Sequence, residues 1–113
     1  MARVESPAVG ALWDTHHPYR MGESCATVWH NLAGRLMHTH VKDARRRPDG
    51  EWDLVLLEDG EVPVREAVGM LKAGGWDGYL VVEWEKKWHA EIPEPEVAFP
   101  QHIAVLRRYV SEA

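Results

Sequence analysis

Three short segments of this chain, at residues 9–14, 35–43 and 78–85, have the length and apolar content of buried β-strands. Each is followed, directly or after a polar segment, by a stretch whose apolar residues recur three and four positions apart. This spacing places them on one face of a helix. The apolar positions of the three stretches are Cys25, Val28, Trp29 and Leu32, then Val64, Ala67, Val68 and Leu71, then Phe99, Ile103, Leu106 and Val110. The pattern therefore predicts three strand–helix units in series.

Residues that favour helix ends flank the predicted helices. Ser24 is a suitable N-cap for the first helix, and Gly34 is expected to end it. Pro63 precedes the second helix, and the two glycines at 74–75 follow it. We expect Pro100 in the first turn of the third helix, because a missing backbone N–H is tolerated there.

Strand–helix units in series imply parallel strands joined by right-handed crossovers, so the predicted fold class is α/β. A three-stranded parallel sheet has two open edges, and helices cover it only in part. An eight-unit barrel typically needs about 250 residues. The 113 residues of this chain would supply less than half of one. We therefore expect the chain either to be a fragment of a longer protein or to complete its sheet by self-association or with a second polypeptide.

The longest irregular stretch comprises residues 44–62. Within it, the sequence Arg-Arg-Arg-Pro-Asp-Gly at 45–50 is typical of a turn, and residues 52–57 predict a small additional strand. Two interpretations of the three arginines stay open. They are a solvated loop, or they recognise a phosphate or carboxylate group.

Composition and charge limit the classes of partner. The 13 basic and 18 acidic residues give a formal net charge of −5, which disfavours nucleic acid as the main ligand. No segment has the roughly 18 uninterrupted apolar residues of a membrane-spanning helix, and residues 1–5 lack the apolar core of a signal peptide. A single cysteine, Cys25, fits a reducing compartment. We expect a cytoplasmic protein without nucleic-acid or membrane partners.

Acidic residues and histidines share one face of the predicted strands. Alternation places Asp14, His40 and Glu83 on the same side of the sheet, near the strand carboxyl ends. Because α/β folds bind ligands at these ends, we expect the three side chains and His17 to meet in one crevice. Carboxylate oxygens together with an imidazole nitrogen suit Zn²⁺, Mn²⁺, Co²⁺ or Fe²⁺.

Structural interpretations of the same residues stay open. Residues 14–17 are also typical of a capped turn followed by solvated histidines. One histidine of the segment 38–40 would serve equally well in a structural hydrogen bond. Glu83 and Glu85 are also consistent with ordinary edge charges, although a glutamate after an apolar run is costly to bury unpaired. The agreement among three strands favours a site.

Three motifs carry a resemblance to a known family: Leu-Trp-Asp-Thr-His-His-Pro at 12–18, His-Thr-His-Val-Lys-Asp at 38–43 and Val-Val-Glu-Trp-Glu at 81–85. In this order they resemble the last three strands of the sugar phosphate isomerase/epimerase family. That family has the xylose isomerase-like TIM barrel, which is related to the endonuclease IV barrel. The resemblance implies that residues 1–113 form a partial barrel with strands six to eight and their helices.

The resemblance also implies roles for individual residues. Asp14, His40 and Glu83 would bind a divalent metal ion, with Zn, Mn, Co, Fe and Mg all open. Glu83 would in addition be catalytic, because the matching glutamate of such epimerases moves a proton. His17 and Arg46 would contact the substrate, with Arg45 a near alternative to Arg46. The family's partner acid/base, a glutamate on strand five, has no counterpart in this chain.

The function implied by the resemblance is a metal-dependent sugar or sugar-phosphate isomerase or epimerase, working by proton transfer next to a carbonyl through an enediolate. Whether this chain is itself an enzyme stays open, because its barrel is incomplete. One alternative is a non-catalytic half barrel that serves as an interaction or oligomerisation module. Another alternative is an endonuclease IV-like phosphodiesterase. The negative net charge and the lack of an Asp-x-His motif after His40 disfavour it.

Overall fold

The computed structural model of this protein describes residues 5–113; residues 1–4 of the predicted partial barrel lie outside the described residues. The strands are β1 (Ala11–Asp14), β2 (Leu36–Val41), β3 (Asp43–Arg46), β4 (Trp52–Val55) and β5 (Val81–Val82). The helices are α1 (His17–Arg20), α2 (Cys25–Leu32), α3 (Val64–Ala73) and α4 (Pro95–Glu112). A 3₁₀ turn, Ala33–Arg35, joins α2 to β2.

Three of the strands form a parallel sheet in the order β1–β2–β5. In its register, Asp14 of β1 lies beside His40 of β2, and His40 lies beside Val81 of β5. Beyond β5, the Glu83 N–H donates to the carbonyl of Val41 at 3.2 Å, so the pairing continues past the strand. The predicted α/β class with three parallel strands is confirmed, although β5 is shorter than the segment 78–85.

Helices cover one face of this sheet. Trp13 of β1 and Leu36 of β2 pack in one buried cluster with Val28 of α2 and Leu71 of α3. A second buried cluster joins Val41 of β2 to α3 and α4; its helical members are Val64, Val68, Val105, Leu106 and Tyr109. The opposite face is left for the polar side chains at the strand ends.

Helix α2 begins as its sequence predicts. The Ser24 hydroxyl accepts a hydrogen bond from the Thr27 N–H at 3.1 Å, which satisfies a free donor of the first turn. Gly34, expected to end the helix, lies instead within the following 3₁₀ turn. The short helix α1 was not predicted, because residues 15–18 have the composition of a loop.

Strands β3 and β4 form an antiparallel hairpin, in which Arg46 lies opposite Trp52. The predicted small strand at 52–57 is confirmed over Trp52–Val55, and its turn is closed by a hydrogen bond from the Gly50 N–H to the Arg47 carbonyl. One interpretation placed the three arginines in a solvated loop. It is wrong for the backbone of Arg45 and Arg46, because both residues belong to β3. Their side chains are nevertheless exposed, so the apolar pattern gave no sign of a strand.

The last helix differs from its prediction in two respects. It begins at Pro95, so Pro100 lies inside it rather than in its first turn. Its buried residues are Ala98, His102, Val105, Leu106 and Tyr109. Of the predicted core positions only Leu106 is buried, whereas Phe99, Ile103 and Val110 are more than 40% exposed. The helix is therefore rotated relative to the apolar face in its sequence.

Two exposed apolar residues of α4, Ile103 and Val110, lie at an open edge of the sheet. In the described part of the chain, β5 pairs with β2 alone. Leu80 and Val82, together with Ile103 and Val110, line an open cavity of about 460 Å³ at this edge. We call these four residues the α4 edge. Among residues 5–113, no helix combines the length and apolar character needed to cross a membrane.

Candidate metal centre at the strand ends

Asp14, His40 and Glu83 meet at the carboxyl ends of the three parallel strands. One donor atom from each side chain lies within 4.8 Å of the other two. His40 Nδ1 is 2.8 Å from Glu83 Oε2. The structure thus brings together the three residues for which the sequence predicted a shared cation, and their ligation of a metal stays a prediction.

Backbone hydrogen bonds orient the Asp14 carboxylate. Its Oδ1 accepts hydrogen bonds from the N–H groups of His16 at 2.9 Å and His17 at 3.1 Å, where the chain enters α1. Burial raises the pKa of Asp14, but these hydrogen bonds and the ion pair with Lys42 outweigh burial and lower it below its usual value. Asp14 is therefore ionised at neutral pH, and Oδ2 is directed to the site.

Thr15 joins the ends of β1 and β2 just behind the donor groups. Its hydroxyl donates to the Lys42 carbonyl at 2.8 Å and accepts from the Lys42 N–H at 3.0 Å. Its own N–H donates to the His40 carbonyl at 3.0 Å. These three bonds hold both strand ends in one register, so Asp14 and His40 are positioned together.

Lys42 is the site residue that the sequence analysis missed. Its Nζ lies 3.1 Å from Asp14 Oδ2, 2.8 Å from Glu83 Oε2 and 3.7 Å from Glu85 Oε1. Burial lowers its pKa, but the hydrogen bonds to Glu83 and Asp14 outweigh burial and raise it, so the ammonium stays charged. Strand alternation places Lys42 on the same face as His40, and that signal was available in the sequence.

His17 lies at the rim of the site. Its Nε2 is 3.8 Å from Asp14 Oδ2, and 62% of its side chain is exposed. An imidazole in this position is accessible to a ligand approaching the three donor groups. Its predicted contact with substrate stays a prediction.

Arg46 is connected to the site through the β3–β4 hairpin. It is exposed, and its cross-strand neighbour Trp52 packs its ring edge-on against His16, with centroids 5.0 Å apart. Directly opposed residues of an antiparallel pair project to the same face, so Arg46 shares the Trp52 face of the hairpin. Arg45 projects to the other face, where its Nη1 is 3.5 Å from the Asp59 carbonyl. The two arginines therefore project to opposite faces of the hairpin, and the substrate contact predicted for Arg46 stays a prediction.

His16 is buried beside the site, so the interpretation of residues 16–17 as two solvated histidines is wrong for it. Burial is the main reason that its pKa is lowered to about 4, with the positive charge of Arg20 contributing. The imidazole is therefore neutral near pH 7. It packs between His17 and Trp52 as a wall of the site.

Asp43, the last residue of the 38–43 motif, organises the loop that follows β4. Its two carboxylate oxygens accept hydrogen bonds from the N–H groups of Ala44, Glu58, Gly60 and Val62, at 2.8 to 3.1 Å. A Cβ on Gly60 would lie 2.3 Å from Asp43 Oδ1, so glycine is required there. Asp43 therefore stabilises this loop, and it is not one of the three donor residues.

The three donor groups fit a divalent ion in chemistry and spacing. Metal–ligand distances of about 2.0–2.2 Å place ligand atoms up to about 4.4 Å apart across an ion, and the separations here reach 4.8 Å. Small side-chain adjustments would close this difference. Two carboxylate oxygens and one imidazole nitrogen form a donor set used by Zn²⁺, Mn²⁺ and Fe²⁺.

A parallel sheet with helices on one face and ligand-type side chains at its carboxyl ends is the architecture of a (β/α) barrel segment. The chain belongs to the xylose isomerase-like TIM barrel family, which it matches over residues 1–109. The family resemblance found in the three motifs is therefore confirmed.

Curated relatives match the same stretch. An inosose dehydratase of Bacillus licheniformis is 28% identical over 125 residues, which cover 97% of this chain and 39% of the relative. A fructoselysine 3-epimerase of Escherichia coli O157:H7 is 30% identical over 84 residues, covering 74% of this chain and 29% of the relative. The chain thus spans about two fifths or less of the length of these relatives.

A solved structure has the same fold. The xylose isomerase domain protein from Planctomyces limnophilus superposes with a TM-score of 0.67 and 23% sequence identity. The match covers 96% of this chain and 39% of that protein. At this level of identity the similarity concerns the fold alone, and it supports the partial-barrel architecture.

Proposed function

We propose that residues 1–113 form the last three strand–helix units of a barrel that binds a divalent metal ion and transfers a proton next to the carbonyl of a sugar or sugar phosphate. The observation that carries this proposal is the convergence of Asp14, His40 and Glu83 from three neighbouring strands. The inosose dehydratases and fructoselysine 3-epimerases among the relatives support a small, sugar-like substrate.

Each of these residues has a distinct role in the proposed reaction. The metal ion, when bound, would polarise the substrate carbonyl and stabilise negative charge on its oxygen. Asp14 and His40 hold that ion, and the hydrogen bonds from His16 and His17 fix the direction of Asp14. Glu83 both ligates and accepts the proton from the carbon beside the carbonyl. Its carboxylate is about a third exposed, so a substrate has access to it.

Residues at the rim determine how substrate is held. His17 is accessible beside Asp14 and would hydrogen-bond a substrate hydroxyl. Arg46 lies on the Trp52 face of the exposed hairpin, and its guanidinium would pair with a phosphate or carboxylate group. Proton abstraction beside a carbonyl is a step shared by epimerisation, isomerisation and dehydration of a hydroxy ketone, which makes all three compatible with this set of residues.

Catalysis in this proposal requires a completed barrel. The acid/base partner implied by the resemblance belongs to a strand that this chain does not supply. Leu12 on the β1 side and the α4 edge beside β5 leave apolar surface exposed at both sides of the sheet. That exposure also supports the second candidate function, a half barrel that associates with another chain without catalysis.

Metal titration of the 113-residue chain tests the proposal. We expect one equivalent of Mn²⁺ or Co²⁺ to bind, and the variants Asp14→Asn, His40→Ala and Glu83→Gln to lose at least about tenfold in affinity. His38→Ala is the matched control, because His38 lies next to His40 with ring centroids 5.1 Å apart but outside the donor set. Calorimetry and the visible spectrum of Co²⁺ report the binding.

Several results would decide between the candidate functions. Equal binding by the wild type and the three donor variants would refute the shared metal site. Binding of several zinc ions per chain would favour the phosphodiesterase alternative. A folded, metal-free chain that self-associates would favour the half-barrel module.

A further inference from the structure

An ammonium group occupies the space in which the proposed metal ion would bind. Lys42 Nζ contacts Asp14 Oδ2 and Glu83 Oε2, which are two of the three donor groups, at 3.1 and 2.8 Å. Only 3% of the Lys42 side chain is exposed. Asp14 and Glu83 are also two of the three residues that would hold a divalent ion, so the ion and the ammonium would compete for the same carboxylates.

The backbone leaves Lys42 little freedom to avoid this position. Its N–H and carbonyl are both hydrogen-bonded to the Thr15 hydroxyl, and the residue directly follows β2. The side chain therefore projects from the same face as His40. It is long enough to pivot, however, and Glu85 Oε1 lies 3.7 Å from Nζ. Glu85 is not among the three donor groups.

We propose that Lys42 is the resident cation of this site, which holds Asp14 and Glu83 in place before a metal ion binds and is displaced toward Glu85 when one does. The proposal rests on the proposed function for the identity of the competing ion. In this proposal Lys42 is a positioning residue that sets the metal affinity. Glu85 is the carboxylate that pairs with the Lys42 ammonium once it is displaced.

The charges of the site support this exchange. Asp14, Glu83 and Glu85 together carry three negative charges and Lys42 one positive charge, so the ion-free cluster has a formal charge of −2 when His40 is neutral. A divalent ion brings that total to zero. Without Lys42, two carboxylates would face each other in a partly buried site with no counter-ion, which is strongly unfavourable. With both cations present, the ammonium needs another carboxylate, and Glu85 is the one within reach.

Variants of the two residues should change metal affinity in opposite directions. We expect Lys42→Met to bind Mn²⁺ at least about tenfold more tightly than the wild type, because its competitor is gone. Glu85→Gln should bind Mn²⁺ several-fold more weakly, because the displaced ammonium then has no acceptor. Lys42→Arg keeps the positive charge and should show no tightening. Calorimetric titration of the 113-residue chain measures all three affinities.

Thermal unfolding supplies a second readout, independent of activity. Lys42→Met should have a lower Tm than the wild type without metal, and the increase in Tm on adding Mn²⁺ should be larger than in the wild type. If Lys42→Met does not fold without metal, Lys42→Gln, which retains a hydrogen-bond donor, takes its place in both measurements. Circular dichroism establishes folding in each case.

The outcomes separate this inference from the proposed function. Equal or weaker Mn²⁺ binding by Lys42→Met would overturn the role of Lys42 and leave the metal site intact. Binding by Lys42→Met but not by the wild type would support Lys42 as the resident cation and overturn metal dependence of the native chain. Absence of binding in both would overturn both proposals.

Discussion

The carboxyl ends of the β1–β2–β5 sheet and the outer face of α4 differ in how their side chains are partnered. At the strand ends, Asp14, Glu83 and Lys42 form ion pairs within the chain, with Asp14 and Lys42 buried and Glu83 partly buried. On α4, Ile103 and Val110 are exposed apolar side chains beside an open sheet edge. The charged side chains at the strand ends have partners within this chain, whereas the exposed apolar side chains of the α4 edge are not covered.

This difference shows where the chain depends on other structure. Buried charges have to be paired locally, because an unpaired buried charge is strongly destabilising. Exposed apolar groups are tolerated in a folded chain, but a contiguous patch of them marks a contact surface. The strand ends therefore have the properties of a site, and the α4 edge has those of a contact surface.

The largest expected effect concerns Asp43, which supports the strand-end region. Asp43→Ala would leave the N–H groups of Glu58, Gly60 and Val62 without their carboxylate acceptor. We expect the free energy of unfolding to fall by about 3 kcal/mol or more, since each buried unsatisfied donor costs about 1–3 kcal/mol. Urea unfolding followed by circular dichroism measures the change.

A matched aspartate provides the control for this prediction. Asp49 accepts a hydrogen bond from the Glu51 N–H in the hairpin turn, but its side chain is 61% exposed. We expect Asp49→Ala to leave the free energy of unfolding close to that of the wild type, because solvent screens this exposed carboxylate. Similar losses in the two variants would show that the Asp43 loop is not held by this carboxylate.

The second prediction compares the two faces of α4 directly. Leu106 is 7% exposed, whereas Ile103, one turn away, is 46% exposed. Leu106→Ala should lower the free energy of unfolding by about 2–4 kcal/mol, and Ile103→Ala by less than about 1 kcal/mol. If Ile103→Ala lowers the free energy of unfolding as much as Leu106→Ala does, the α4 edge is already covered in the isolated chain. Sedimentation analysis would then identify self-association.

The third and smallest effect is a pH dependence caused by His16. Its pKa is lowered to about 4 in the folded chain, mainly by burial, whereas an unfolded histidine has a pKa near 6.5. Between these values the unfolded state binds the proton first, so stability is lost as the pH falls from about 6.5 toward 4. We expect His16 to contribute a loss of about 1 kcal/mol per pH unit in this window.

Paired histidine variants isolate this contribution. His16→Gln should flatten the decline of unfolding free energy between pH 6.5 and 4, because its side chain does not titrate. His30→Gln makes the same change at an exposed position of α2 and should leave the slope as in the wild type. An unchanged slope in His16→Gln would mean that the buried imidazole does not control acid stability.

The amino-acid sequence by itself determined the three parallel strands, the main helices and the meeting of Asp14, His40 and Glu83. Alternation in three short segments placed Asp14, His40 and Glu83 on one side, and parallel strands then bring their carboxyl ends together. Local signals also identified the Ser24 cap and the small strand β4. These features depend on neighbours in sequence or on a repeated pattern, so they are visible without coordinates.

Only the tertiary structure decided which groups meet and which helix face is buried. The position of Lys42 among three carboxylates depends on side chains from β1 and from the segment after β5, which are distant in sequence. The periodicity of α4 marks its apolar positions, but burial depends on the surface against which the helix packs. In this chain that surface covers Ala98, His102 and Tyr109 and leaves Ile103 at an open edge.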